Sequence, residues 1–180
     1  GKVKSFFIDT RPETKHCIFE YIYFSRPDST IFGNTVDKIR RKLGKNLSIE
    51  KPAPRANIED KKVVVISVPD SSNTAALGYV TETIKTNPFV KLELGLIRSH
   101  YIGRTFIQPG QDNREIKVKA KFNTVKSVLK DRIVVIVDDS IVRGTTLKQS
   151  IIMMLARLQP KRIIIVSSAP QIRFECPSMY

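Results

Sequence analysis

Ile133-Val-Val-Ile-Val-Asp-Asp-Ser-Ile-Val-Arg-Gly-Thr-Thr146 decides how this chain is read. Five consecutive apolar β-branched residues run into two adjacent carboxylates. A short turn with one glycine follows, and residues 147–158 then show helical periodicity. An apolar run of that length reads as a strand buried on both faces, as in a parallel α/β sheet. Ligands of such sheets bind in the crevice beyond the carboxyl ends of the strands. Asp138 and Asp139 fall there, above a turn whose backbone N–H groups point into the same crevice. Carboxylates for sugar hydroxyls or a metal, beside an amide cradle for a phosphate, point to a phosphorylated sugar.

The same alternation recurs along the chain. Ile18-Phe-Glu-Tyr-Ile-Tyr-Phe24 is rich in β-branched and aromatic residues and reads as a strand. Arg26-Pro27-Asp28-Ser29 is a turn by composition, after which Val36, Ile39 and Leu43 recur at helical spacing. Residues 51–60, polar with two prolines, read as a surface connection. Lys62-Val-Val-Val-Ile-Ser-Val68 predicts a second buried strand. Pro69-Asp70-Ser71-Ser72 breaks it, and residues 74–85 predict a helix with Ala75, Ala76, Tyr79 and Val80 on one side. Leu92-Glu-Leu-Gly-Leu-Ile97 predicts a third strand. Residues 98–130 lack a clean period and read as a long loop holding a hairpin or short helix, a length that in a compact domain is usually functional or disordered. Arg162-Ile-Ile-Ile-Val-Ser167 completes the pattern. Strands alternating with helices imply an α/β fold, a doubly wound, mainly parallel sheet.

Bulk properties set limits. The 180 residues suit one domain, and 41% apolar with 27% charged residues is globular composition. No run reaches the roughly 18 apolar residues of a membrane helix, and the opening residues lack the apolar core of a secretion signal. Two cysteines far apart make a poor disulfide framework, so a cytoplasmic setting is expected. A net charge of +14 raises nucleic acid as a partner. The basic residues are scattered, however, through Lys38, Arg40, Arg41, Lys42 and Lys45 to Lys117, Lys119, Lys121, Lys126 and Lys130, with no aromatic-rich strand-binding motif or zinc finger. A basic surface that attracts a polyanionic small substrate is the better reading.

A strand ending in Asp-Asp is often only a strand before a helix cap. The whole string is more specific: Val-Asp-Asp-Ser-Ile-Val-Arg-Gly-Thr-Thr resembles the 5-phosphoribosyl-1-pyrophosphate (PRPP) motif of type I phosphoribosyltransferases, in the wording of the amidophosphoribosyltransferases. The resemblance runs from the region of Cys17 through Arg26-Pro27-Asp28-Ser29 to Ser168-Ala-Pro170, nearly the whole chain. It implies the type I phosphoribosyltransferase fold over residues 1–180, with the family's N-terminal glutaminase domain and C-terminal tail lying outside it. It also implies a glycosyl transfer that opens purine synthesis: PRPP plus glutamine-derived ammonia gives 5-phosphoribosylamine and pyrophosphate. Such a domain separated from a glutaminase would use free ammonia at best.

Site roles follow from the same resemblance. Asp138 and Asp139 go to magnesium or to the ribose hydroxyls, and Ser71 supplies a hydroxyl ligand to magnesium, with Ser72 an open alternative. One of these serines also suits the cap of the following helix. Magnesium prefers few protein oxygens plus substrate phosphates and water, which fits so sparse a set. Ser140, Ile141, Val142, Arg143, Gly144, Thr145 and Thr146 cradle the 5-phosphate. There Gly144 allows close backbone approach, the threonines offer hydroxyls, and the helix presents its N-terminus. Arg98-Ser-His-Tyr-Ile-Gly-Arg-Thr-Phe-Ile-Gln-Pro109 resembles the family's catalytic lid, giving closure over PRPP to Arg98, Tyr101 and Arg104. His100 reads as a loop residue, not a general base. Some members carry a 4Fe-4S cluster on four cysteines, two at places matching Cys17 and Cys176. The Cys-x-x-Cys that completes the set is absent here, so no cluster is expected in this chain, and His16 beside Cys17 suggests zinc only weakly. Purine nucleotide feedback inhibitors and a homo-oligomeric parent are implied as well. The rivals are a nucleobase-salvage phosphoribosyltransferase and a non-catalytic PRPP-binding regulator, which +14 would suit.

Overall fold

The computed structural model describes residues 4, 16–55, 63–99, 122–141 and 151–170. Its centre is a four-stranded parallel sheet. The strands are β3 (Val63–Ser67), β4 (Lys91–Leu92), β7 (Ile133–Asp138) and β8 (Arg162–Ser167), in the spatial order β4-β3-β7-β8. Two further pairs are antiparallel: β1 (Thr30–Ile31) with β2 (Asn34–Thr35), and β5 (Leu96–Arg98) with β6 (Phe122–Thr124). The helices are α1 (Val36–Glu50), α2 (Asn73–Thr83), α3 (Lys126–Leu129) and α4 (Met153–Ala156).

The two apolar runs became the inner strands because each has an apolar partner layer on both sides. Val63 pairs with Ile133 and Ser67 with Val137, so the period of two sends matching residues to the same face. Val63, Val65, Val135 and Val137 pack with Ala75, Ala76, Tyr79 and Val80 of α2. Val64, Ile66, Val134 and Ile136 pack on the opposite face with Leu96, Leu129, Ile151 and Leu155. Helices thus cover both faces, as a doubly wound sheet requires.

The strand order fixes where a ligand can bind. From β3 the chain passes through α2 to β4 on one side, whereas β7 and β8 lie on the other. The order therefore reverses between β3 and β7, and the crevice of an open α/β sheet opens beyond the carboxyl ends at such a point. Residues 69–72 and Asp138–Asp139 are the two segments that leave those ends.

Two sequence expectations are corrected. Residues 18–24 are not a strand: a helical segment of wide turn runs over Glu20–Phe24, with Ser25 N–H donating to the Glu20 carbonyl at 3.1 Å. Only Ile22 is buried there, while Tyr23 and Phe24 are 51% and 67% exposed. Strand propensity measures fit to a half-buried pleat, and among the described residues no sheet edge receives this segment. Its Tyr21 and Ser25 carbonyls are instead taken by the Arg40 guanidinium at 2.7 and 2.9 Å. The expected strand over residues 92–97 is two strands, one parallel on β3 and one antiparallel on β6. The break falls at Gly95, where an added Cβ would meet Ile66 Cγ2 at 2.7 Å; glycine lets the backbone cross close over the sheet. The long irregular section is confirmed in its hairpin base, β5 with β6, and in the short helix α3. Residues 100–121 between them lie outside the described residues.

Candidate functional site

Asp138 closes β7 and Asp139 follows it into the crevice. Asp138 Oδ1 accepts the Asp139 backbone N–H at 2.9 Å and the Ser72 hydroxyl at 3.4 Å. Burial, and then the neighbouring Asp139 charge, push the Asp138 carboxyl up from 3.8 to about 6, against those two hydrogen bonds. Asp139 is 6% exposed. Its Oδ1 accepts the Ser140 hydroxyl at 3.2 Å, whereas its Oδ2 is buried and has no hydrogen-bond partner among the described residues. A buried carboxylate oxygen left in this state is costly unless something else meets it. The backbone beneath is held firmly: the carbonyls of Asp138 and Asp139 each accept at 2.9 Å, from the Ser168 and Ala169 amides beyond β8.

Of the two serines, the structure brings Ser72 to the acidic pair. Ser72 is fully buried and stands at the N-terminal cap of α2, yet its side chain makes no capping hydrogen bond, which leaves the hydroxyl for Asp138. Ser71 precedes it, half-buried, with its carbonyl 3.5 Å from Arg40 Nη1. Asp70, across a cis peptide from Pro69, accepts from Arg98 Nη1 at 2.7 Å. Arg98 ends β5, so this pair ties the turn after β3 to the base of the hairpin. Tyr101, Arg104, His100 and residues 142–146 lie outside the described residues, as does Cys176. Ile141 is exposed, and Cys17 is an exposed free thiol. His16 stacks on Phe32 with centroids 3.7 Å apart.

Arg40 is the residue that sequence reasoning missed. It sits among Lys38, Arg41, Lys42 and Lys45 and reads as one more solvated charge, but it is 3% exposed. The buried residues of α1 are Val36, Arg40, Gly44 and Ser48, four apart throughout. That ladder, with its two small members, is the signal that could have exposed it. Burial pushes the Arg40 guanidinium below its ordinary value, and Asp139, then Asp37, push back.

Among the described residues, no group of three or more His, Cys, Asp and Glu could hold a metal. Two carboxylates with a buried, unmet oxygen and a neighbouring hydroxyl fit magnesium nonetheless, because that ion keeps water and substrate phosphates in its shell. They would not make an all-protein zinc or calcium cage.

Comparison with known proteins fits this geometry. No family model matches the sequence. An amidophosphoribosyltransferase of Pyrococcus horikoshii is 46% identical over 166 residues, covering 92% of this chain and 34% of that protein. A chloroplastic amidophosphoribosyltransferase of Glycine max is 42% identical over 174 residues, covering 97% of this chain and 28% of the relative. A solved structure of glutamine PRPP amidotransferase from B. subtilis, complexed with ADP and GMP, superposes with a TM-score of 0.71 at 44% identity. It covers 89% of this chain and 32% of that one. The chain matches one region of the amidophosphoribosyltransferases over nearly its whole length. A second structure, described as the allosteric regulatory enzyme of purine biosynthesis, matches equally well. The chain spans about a third of the length of these amidophosphoribosyltransferases. Among the described residues, no helix is long and apolar enough to cross a membrane.

Proposed function

We propose that this chain is the phosphoribosyltransferase domain of an amidophosphoribosyltransferase, joining ammonia to PRPP with release of pyrophosphate. The observation that carries the reading is the Asp138–Asp139 pair at the reversal point of the sheet, with the Ser72 hydroxyl beside it and one buried carboxylate oxygen unmet. Asp138 and Asp139 would accept the ribose 2- and 3-hydroxyls. Residues 140–146 would cradle the 5-phosphate, and Arg98, Tyr101 and Arg104 would close over the pyrophosphate. Bound Mg2+, held by Asp138, Asp139 and the Ser71–Ser72 turn, would neutralise charge on the leaving pyrophosphate. Ammonia attacks C1 of the ribose, forming the C–N bond, while the C1–O bond breaks and pyrophosphate leaves with the electron pair. No covalent nucleophile is needed, and catalysis comes from orientation and fixed charge.

Ammonia would come from glutamine in the longer enzyme, and purine nucleotides would act as feedback ligands of a homo-oligomer, in line with the ADP and GMP held by the B. subtilis relative. We place the enzyme in the cytoplasm, although plant relatives are named chloroplastic. A 4Fe-4S cluster, if the longer protein holds one, would draw on Cys17 and Cys176 with two further cysteines.

The test is to incubate the protein with Mg-PRPP and an ammonium salt and to assay pyrophosphate. Release should depend on ammonium. Release that requires a nucleobase would favour salvage chemistry. No release, together with salt-sensitive binding to nucleic acid, would favour the regulator that a charge of +14 permits.

The Arg98–Asp70 pair gives a second expectation. Both side chains are substantially exposed, so Arg98→Ala should lower stability by less than about 1 kcal/mol. If Arg98 closes over pyrophosphate, the same change should cut kcat/KM for PRPP by about tenfold or more. A large fall in melting temperature with unchanged turnover would make the pair a structural tie instead.

A further inference from the structure

Arg40 is a buried cation without a carboxylate within ion-pair distance among the described residues. Its three contacts are backbone carbonyls: Tyr21 at 2.7 Å from Nε, Ser25 at 2.9 Å from Nη2 and Ser71 at 3.5 Å from Nη1. The first lies in the segment that failed to form a strand, the second directly after it, and the third in the turn after β3. A guanidinium spends its planar fork of donors on fixed geometry, which an ammonium cannot copy. A buried charge is tolerated where it is hydrogen-bonded and faces an opposite charge. Here the opposing charge of greatest effect is Asp139, the residue whose Oδ2 is unmet.

We propose that Arg40 is a positioning residue of the PRPP site. From inside α1 it fastens the Ser71–Ser72 turn to residues 21–25. The consequence is mechanical. Ser72 follows Ser71 directly, and its hydroxyl meets Asp138 at 3.4 Å, so a turn released from Arg40 lets that contact drift. Arg40 itself touches no substrate. The inference rests on the PRPP reading of this crevice.

The experiment measures Mg-PRPP binding by titration calorimetry for the wild-type protein, Arg40→Met, Arg40→Lys and Ser48→Ala. Amide hydrogen exchange at Ser72 and Asn73 is followed in parallel. Ser48 lies in the same helix, in a buried hydrogen bond with Thr83 at 2.8 Å and away from the crevice, so Ser48→Ala controls for general loosening. Arg40→Met should bind Mg-PRPP about tenfold or more weakly, with faster exchange at Ser72 and Asn73. Arg40→Lys, which keeps the charge and loses the fork, should fall between. Ser48→Ala should bind as the wild type does. If Arg40→Met does not fold, the Arg40→Lys comparison decides. Wild-type binding kept by a folded Arg40 variant overturns the Arg40 inference alone, as does equal weakening by Ser48→Ala. No binding by the wild type overturns the PRPP reading and the role of Arg40 with it.

Discussion

Replacing Asp138 by Asn should yield a protein more stable than its parent at neutral pH and unable to use Mg-PRPP. The carboxyl lies where burial and the Asp139 charge raise it from 3.8 to about 6. Between those two values the folded state holds a proton that the unfolded state has lost. Stability from this group is therefore present at low pH and is lost as pH rises through the window. The rise corresponds to at most about 3 kcal/mol, and Asn, nearly the same shape, removes the charge while its carbonyl can still accept from the Asp139 amide and Ser72. The gain should be about 1–3 kcal/mol at pH 7.5, or some 2–4 °C in melting temperature per kcal/mol at this size, and it should vanish near pH 4. Ligand affinity should move the other way. Mg-PRPP binding by the parent should weaken as pH falls through about 6, because a protonated Asp138 loses its attraction for the metal. Denaturant melts at the two pH values, with calorimetric titration of Mg-PRPP, check both halves. An Asn variant that is less stable at pH 7.5, or that still turns over PRPP, would show that Asp138 is a structural carboxylate. The sign of the stability change separates the cases: a strained functional group is retained at a cost to the fold.

Much of this site was legible in the sequence, and for a local reason. The buried strand, its two terminal carboxylates and the reversal point could be read because β7 carries its own signal: five apolar residues, then chemistry, all contiguous. The doubly wound sheet followed from the same local pattern in β3, α2 and β8. Contacts between distant segments were not legible. Ser71 and Ser72 are equivalent as letters, and only the direction in which the turn enters α2 sends the Ser72 hydroxyl to Asp138, 66 residues away. Arg40 was hidden for a related reason. Its neighbours are exposed cations, and its burial depends on carbonyls contributed by the turn after β3 and by residues 21–25. Residues 21–24 carry strong strand propensity, but the Tyr21 and Ser25 carbonyls go to Arg40 rather than to a neighbouring strand. Propensity lost to a tertiary hydrogen bond that no local pattern announces.

Gly44→Ala should unfold the protein or bring it close to unfolding, although Ala is intrinsically the better helix former by about 1 kcal/mol. Helices α1 and α2 touch backbone to backbone. A methyl group built on Gly44 would overlap the Ala75 carbonyl oxygen, and it would also lie 2.9 Å from the Tyr79 nitrogen. The obstructing atoms are main chain within a helix, so no side chain can rotate away, and the helices must separate. Separation stretches the Ser48–Thr83 hydrogen bond and the bond from the Tyr79 hydroxyl to the Lys51 carbonyl at 2.8 Å, and it opens the Ala75–Ala76–Tyr79 face of the core. Overpacking of this kind costs about 1–3 kcal/mol, and each buried polar group left unmet costs about 1–3 kcal/mol more. Against a total stability of roughly 5–15 kcal/mol, the intrinsic helical gain cannot compensate. Gly78→Ala meets the Arg41 carbonyl from the other side and should behave alike. Gly33 is the contrasting case: it has a φ of 78° and nothing within 4 Å of an added Cβ. Gly33→Ala should therefore cost only the conformational strain of about 1–2 kcal/mol, leaving a cooperative melt. The three substitutions, compared by circular dichroism and denaturant titration, test the close approach directly. If Gly44→Ala melts as high as Gly33→Ala, the two helices are not in backbone contact. Because α1 carries Arg40 and α2 begins directly after Ser72, the register of these helices sets the acidic crevice as well as the core. Any folded Gly44 or Gly78 variant should therefore lose Mg-PRPP affinity in step with its stability.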